Sequence, residues 1–183
     1  MTQNKGNGIN RRTFLKSGMA GAAGIALGTT ASPLLAQSSA LASEHVCSFS
    51  ATLEAPQVVG PTPDGMRQIV YTTGGTLTGA LSGRILPGGF DWAWLAPDGS
   101  ARVEARYVLE LADGTPVTIV NTGLCRPEPG SETRFAGESA PEFEVAPGPH
   151  DWLMRHLFLC RFTSDLAEGR VTLDLWRVGH TAE

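Results

Sequence analysis

The chain has 183 residues, 42% of them apolar, with 18 acidic and 14 basic side chains. Those figures suit one soluble domain of ordinary size. Its 22 glycines, about twice the usual ~7% share, point to a fold rich in turns and argue against a helical bundle or coiled coil.

Asn10-Arg11-Arg12-Thr13-Phe14-Leu15-Lys16 precedes a charge-free run from Ser17 to Ser43 that is rich in Gly and Ala, and the run ends near Ala40-Leu41-Ala42. A charged start, an apolar middle and a small-x-small end make a secretory signal. The paired arginines followed by Phe14-Leu15-Lys16 look like a twin-arginine export signal, with Asn10 where Ser or Thr is usual. The alternative is a membrane anchor, for which the run is long enough but only weakly apolar. The expected organisation is therefore a cleaved signal over residues 1–42 and a single domain over 43–183, delivered to the periplasm or secreted. Arg11 and Arg12 would engage the export machinery, and no stable membrane association would remain after cleavage.

Cleavage would remove four basic residues (Lys5, Arg11, Arg12, Lys16) and no acid, leaving 10 basic and 18 acidic groups, a formal charge of −8. A chain this acidic repels phosphate backbones, which argues against nucleic-acid binding. Lys5 and Lys16 are the chain's two lysines, so the processed domain would have neither a Schiff-base lysine nor a P-loop lysine. A twin-arginine signal implies export in the folded state. Cys47, Cys125 and Cys160 would then be reduced during folding, and their odd number leaves one thiol over from any disulfide formed outside.

After residue 43 the pattern is strands and turns. Residues 46–54 and 67–73 alternate, and further strands are expected near 77–86, 90–96, 101–112, 115–121, 141–146, 154–163 and 168–178. Turn signals separate them: Pro63-Asp64-Gly65, Pro87-Gly88-Gly89, Pro97-Asp98-Gly99, Asp113-Gly114 and Glu168-Gly169. Asp113-Gly114 between two alternating runs reads as a hairpin. Residues 125–140, with Pro127, Pro129 and Gly130, read as a long loop. Short, regularly spaced strands predict an all-β antiparallel barrel or sandwich of about eight to ten strands. In 101–111 the odd positions are mostly apolar and the even ones mostly charged, as a barrel wall requires. Ala101 and Ala105 are small for inward positions, which favours a cavity over a filled interior.

From about Phe49 to Val178 the chain resembles an uncharacterised, mostly bacterial family known as domain of unknown function 3237. The resemblance is carried by Gly60-Pro61-Thr62-Pro63-Asp64-Gly65, Gly74-Gly75-Thr76, Gly83-Arg84-Ile85-Leu86-Pro87-Gly88-Gly89, Asp91-Trp92, Ala105-Arg106-Tyr107 and Asp113-Gly114. Asp151-Trp152-Leu153 and Leu157-Phe158 add a further segment, with Met154 where the family pattern has Asn. It implies a calycin-like antiparallel barrel and no established reaction.

Several residues are candidates for chemistry, each beside a structural alternative. Asp91 next to Trp92 is a candidate acid or base with an aromatic contact, or a turn-capping Asp and a core Trp. Adjacent strand residues face opposite ways, so both enter one pocket only if a bulge at Pro87-Gly88-Gly89 intervenes. Tyr107 falls on the apolar face, where its hydroxyl would be the polar handle of a cavity. Arg106 shares a face with Glu104 and Arg102, so it is either an anion-binding group or a surface ion pair. Asn121 is a turn former or a pocket contact, and His156 is a possible catalytic group. Trp152 is expected at the rim of a barrel mouth.

No metal is expected. His156 and Cys160, four residues apart on one strand, would be separated by roughly 13 Å, too far to share an ion. Gly79-Ala80-Leu81-Ser82-Gly83 is not followed by the helix that a nucleophile elbow needs, and no cofactor motif is present. The leading expectation is a binding barrel for a small apolar or aromatic compound. An alternative is a cofactor-independent lyase, isomerase or cyclase using Asp91 or His156 to move a proton, with Arg106 or Tyr107 steadying an oxyanion. A second alternative is a structural or partner-binding barrel with a filled core. A homo-oligomer is compatible with all three.

Overall fold

The computed structural model describes residues 41–180. The expected signal segment lies outside them except for Leu41 and Ala42, which already belong to the first strand. The strands are β1 (Leu41–Leu53), β2 (Gln57–Thr62), β3 (Gly65–Gly79), β4 (Gly83–Ile85), β5 (Gly89–Leu95), β6 (Ala101–Leu111), β7 (Pro116–Pro127), β8 (Arg134–Val145), β9 (Leu157–Asp165) and β10 (Arg170–His180). A single 3₁₀ turn, Asp151–Arg155, lies between β8 and β9.

All pairings are antiparallel, and β1 closes the sheet by pairing with both β10 and β3. β4 and β5 share one place in the wall, since both lie between β3 and β6. β2 follows β1 along the same side of β3. Ten strands thus build a closed wall of eight positions, an arrangement that leaves few free edges.

The wall forms because side chains alternate. In β8 every odd position from Gly137 to Val145 is buried and every even one exposed. The Asp113-Gly114 hairpin is present, closed by Leu111 N–H to Thr115 O at 2.9 Å, with Gly114 at φ 84°. Three expectations are corrected. Residues 125–140 are not one long loop: β7 runs to Pro127, β8 starts at Arg134, and Glu128 N–H donates to Arg134 O across the short connection. The strand expected over 77–86 is instead the end of β3, a turn at 80–82 and the short β4; β3 runs unbroken through 73–77, and a bulge at Thr73 shifts its register against β1 between Thr52 and Leu53. The segment expected to start a strand at 154 instead begins in the 3₁₀ turn.

Packing divides the barrel into two halves. At one end, Leu77, Ile85, Leu109, Val117 and Leu175 fill the interior, and Leu81 from the β3–β4 turn covers them. β8 and β9 stop pairing after Ser139–Cys160, shortly before Pro141, which has no N–H to give. The 3₁₀ turn packs there beside β8: Leu153 is 1% exposed, and Phe158 is flanked by Phe143 at 5.0 Å and Trp152 at 5.8 Å between ring centroids. Burying Leu153 contributes ~1.5–3 kcal/mol. The other end, formed by the β1–β2, β5–β6, β7–β8 and β9–β10 connections, has no such plug among the described residues.

Candidate functional site

The unplugged half holds a cavity of about 100 Å³ that is open on one side. Its size follows from residue choice. Ala93 on β5, Ala101 and Ala105 on the neighbouring β6, and Ala51 on β1 line it, where larger side chains would fill the space. Val70, Val103, Phe135, Phe162 and Leu173 supply apolar surface, and Gln68, Thr72 and Ser164 add polar groups.

The polar centre comes from three neighbouring strands. Asp91 on β5 is paired with Ala105 on β6, and Ala105 with Asn121 on β7. All three line the cavity, so the two polar side chains flank a methyl group. Tyr107 lies two residues beyond Ala105 on the same face. Gly89 opposite it leaves no room for a Cβ, which would lie 2.5 Å from Tyr107 Cβ.

The electrostatics follow from enclosure. Burial pushes the Asp91 carboxyl up to about 6; a hydrogen bond from the Glu104 backbone N–H at 3.1 Å opposes this, and the Glu104 charge adds to it. What surface Asp91 retains opens into the cavity. Burial also drives the Tyr107 hydroxyl far above its ordinary value, with Cys160 adding to the shift and the adjoining Asn121 amide opposing it. Asn121 Oδ1 and Ser139 Oγ have no hydrogen-bond partner within the protein. Ser139 adjoins the Cys160 thiol without a well-formed bond to it. Burial raises the thiols of Cys47 and Cys160 to about 12 and that of Cys125 to about 11, where they are poor nucleophiles.

Of the residues singled out in the sequence, Asp91, Tyr107 and Asn121 come together at the cavity. Four do not. No bulge separates Asp91 from Trp92: their partners Ala105 and Glu104 are consecutive, so Trp92 faces outward, 40% exposed. Arg67 lies over it at 4.2 Å and over Trp94 at 3.7 Å. Arg106 also faces outward, where its Nη2 and Nε donate to Glu104 Oε1 at 2.9 and 3.0 Å. His156 is exposed at the end of the 3₁₀ turn, its Nδ1 2.9 Å from Trp152 O, and not on the inner face with Cys160. Trp152 packs at the plugged end, away from the mouth.

Gln68, Thr72, Ser139 and Ser164 escaped the sequence reading. Gln68 and Thr72 share the parity of Val70 in an alternating run, so that signal was available. Ser139 lies in 125–140, whose Pro and Gly content reads as a loop. Among the lining residues there is no Arg, Lys or His. The arrangement can bind a mostly apolar molecule through a few polar contacts, and it can hold one exchangeable proton on Asp91.

Comparison with known proteins places this architecture. The family described as protein of unknown function (DUF3237) matches residues 41–178, and a twin-arginine translocation pathway signal sequence matches residues 8–28. A UPF0311 protein of Bradyrhizobium diazoefficiens is 30% identical over 149 residues, covering 75% of this chain and 97% of the relative. Among solved structures, a conserved protein of unknown function from Rhodopseudomonas palustris superposes with a TM-score of 0.70 at 27% identity, covering 76% of this chain and 99% of that one. A β-barrel-like protein from Acinetobacter baumannii gives 0.69 at 26% identity, covering 76% and 97%.

Proposed function

The chain belongs to the DUF3237 family and carries an export signal, and on that footing we propose that it is an exported barrel binding a small, mostly apolar molecule in the unplugged half of its interior. The observation that carries this reading is the cavity itself, an apolar enclosure with Asp91, Tyr107 and Asn121 converging on one side. Ligand sites combine these features: apolar walls for contact area and a few placed polar groups for orientation. The cavity also weighs against a purely structural barrel, whose interior would be filled throughout. Residues 1–42 act as the cleaved signal, and the domain works in the periplasm or outside the cell. Native mass spectrometry of the protein recovered from the exported fraction tests the reading. A co-purified small molecule is expected, and its absence from an Ala105→Leu variant ties it to the cavity. A ligand retained in that variant overturns the assignment.

A second reading is favoured by one observation, the raised Asp91 carboxyl at about 6. A group titrating there can take up and return a proton near neutral pH. Asp91 would abstract a proton from a bound substrate and return it elsewhere on the same molecule, or, in an elimination, to the group whose bond to carbon breaks, with the Tyr107 hydroxyl donating to a developing oxyanion. That is the chemistry of a cofactor-independent lyase, isomerase or cyclase. Arg106 and His156 take no part in it, since both face solvent. Loss of turnover in Asp91→Asn with ligand binding retained supports this reading; unchanged turnover removes it.

A further inference from the structure

Two atoms in the cavity region lack partners within the protein: Asn121 Oδ1 and Ser139 Oγ, on residues only 5% and 4% exposed. Buried polar atoms are seldom left unpaired, and both residues line the cavity. Their chemistry restricts what can pair with them. The amide oxygen only accepts hydrogen bonds, and the nearby Asp91 carboxylate also only accepts. Asp91 and Asn121 are two strands apart, about 9.5 Å between backbones at the usual sheet spacing. Only the methyl group of Ala105 stands between them. Two acceptors thus flank the inward methyl of Ala105, and Oδ1 has neither a protein partner nor contact with water. Ser139 lies one strand farther, opposite Gly123, and its hydroxyl can accept or donate.

The charge balance points the same way. With no cationic side chain in the lining, no positive charge offsets an anion placed beside Asp91, and the Tyr107 hydroxyl offers one hydrogen bond without a charge. A ligand carboxylate would meet a like charge and an unsatisfied acceptor, whereas a hydroxyl would satisfy an acceptor and bring no charge. We propose that the ligand is uncharged and presents a hydroxyl donor into the gap between Asp91 and Asn121, with its hydrocarbon body against Ala93, Val103, Phe135 and Phe162, and that carboxylates of the same shape are rejected. This rests on the binding reading above and specifies the ligand class for that site.

Three ring compounds of similar size test it: cyclohexanol, cyclohexyl methyl ether and cyclohexanecarboxylate. Each is titrated into the purified protein at pH 8, with binding read from ligand-observed NMR and from the side-chain amide signals of Asn121. The expected order is cyclohexanol first, the ether at least tenfold weaker for want of a donor, and the carboxylate weaker still. Asn121 signals should move only with the alcohol. In Asp91→Asn the carboxylate should gain at least fivefold, because the repelling charge is gone. Equal binding of all three leaves the cavity as a binding site but overturns its selectivity for a hydroxyl. A carboxylate that binds as well as the alcohol does the same. Failure of all three to bind overturns the binding reading and this inference with it.

Discussion

Asp91 holds its carboxylate inside the barrel while accepting a hydrogen bond, at 3.1 Å, from the backbone of Glu104, whose own carboxylate pairs with Arg106 on the outer surface. One hydrogen bond does not offset the loss of water, so the carboxyl rises from 3.8 to about 6. A carboxyl raised on folding favours the folded state most when it is protonated. Its contribution is complete below pH 3.8 and is lost as pH climbs through 6. The span corresponds to about 2–3 kcal/mol. Asp113 works in the opposite sense: hydrogen bonds from Thr115 and His150 lower it to about 2, so its contribution is present above 3.8 and fades toward pH 2. The two windows do not overlap. Urea unfolding should show stability falling between pH 4 and pH 7, and Asp91→Asn should flatten that slope and be the more stable protein at pH 7.5. An unchanged slope in the variant would show that Asp91 is not the group responsible.

Ala105 sets the width of the site, and a leucine there would occupy the gap between Asp91 and Asn121. Over-packing usually costs ~1–3 kcal/mol, but here the added atoms enter space that the fold leaves open. Ala105→Leu should change stability by less than ~1 kcal/mol and weaken ligand binding at least tenfold. Thermal unfolding and ligand titration on the same preparation check both halves. Undiminished binding would place the site elsewhere.

The outward residues make the complementary case. Trp92→Ala, Arg106→Ala and His156→Ala each remove a group that faces solvent, so each should leave ligand affinity within twofold. Arg106→Ala breaks an exposed ion pair worth ~0.2–1 kcal/mol. A tenfold loss of affinity in any of the three would mean that a second surface takes part in binding.

Gly75 lets β3 pass close to β1. Its φ is +155°, and a Cβ there would lie 2.3 Å from Ser50 O and 2.8 Å from Ala51 Cα. Both are backbone atoms, so relief requires the closing strands to separate. Gly75→Ala should cost at least ~2 kcal/mol and lower Tm by about 8 °C. A differential scanning trace matching that of the parent protein would contradict this account of barrel closure.

How much of this could be read from the residues depended on what each strand faces. β6 and β10 are legible because Leu109, Leu111 and Leu175 point into packed hydrocarbon and produce a clear alternation. β8 is half legible: Phe143 and Val145 sit over the plugged end, whereas Ser139 lines the cavity and Gly137 has no side chain to mark its face. A wall facing a hollow carries small and polar inward residues, so its periodicity fades just where the site is. The same cause exposes the site by another route, through the undersized Ala101 and Ala105. Parity separated Asp91 from Trp92 correctly in the absence of a bulge, whereas the positions of Trp152 and His156 depended on a 3₁₀ turn that has no strand parity to follow.

Cys47 and Cys160 flank Leu175 on opposite sides of β10. Two strand spacings, about 9.5 Å, exceed the span of ~4.4–6.8 Å that a disulfide tolerates, and all three cysteines are buried and free. An oxidising medium therefore finds no pair to crosslink and no exposed thiol to attack. Among the described residues ring closure and packing hold the barrel together, so a reductant should leave its unfolding unchanged.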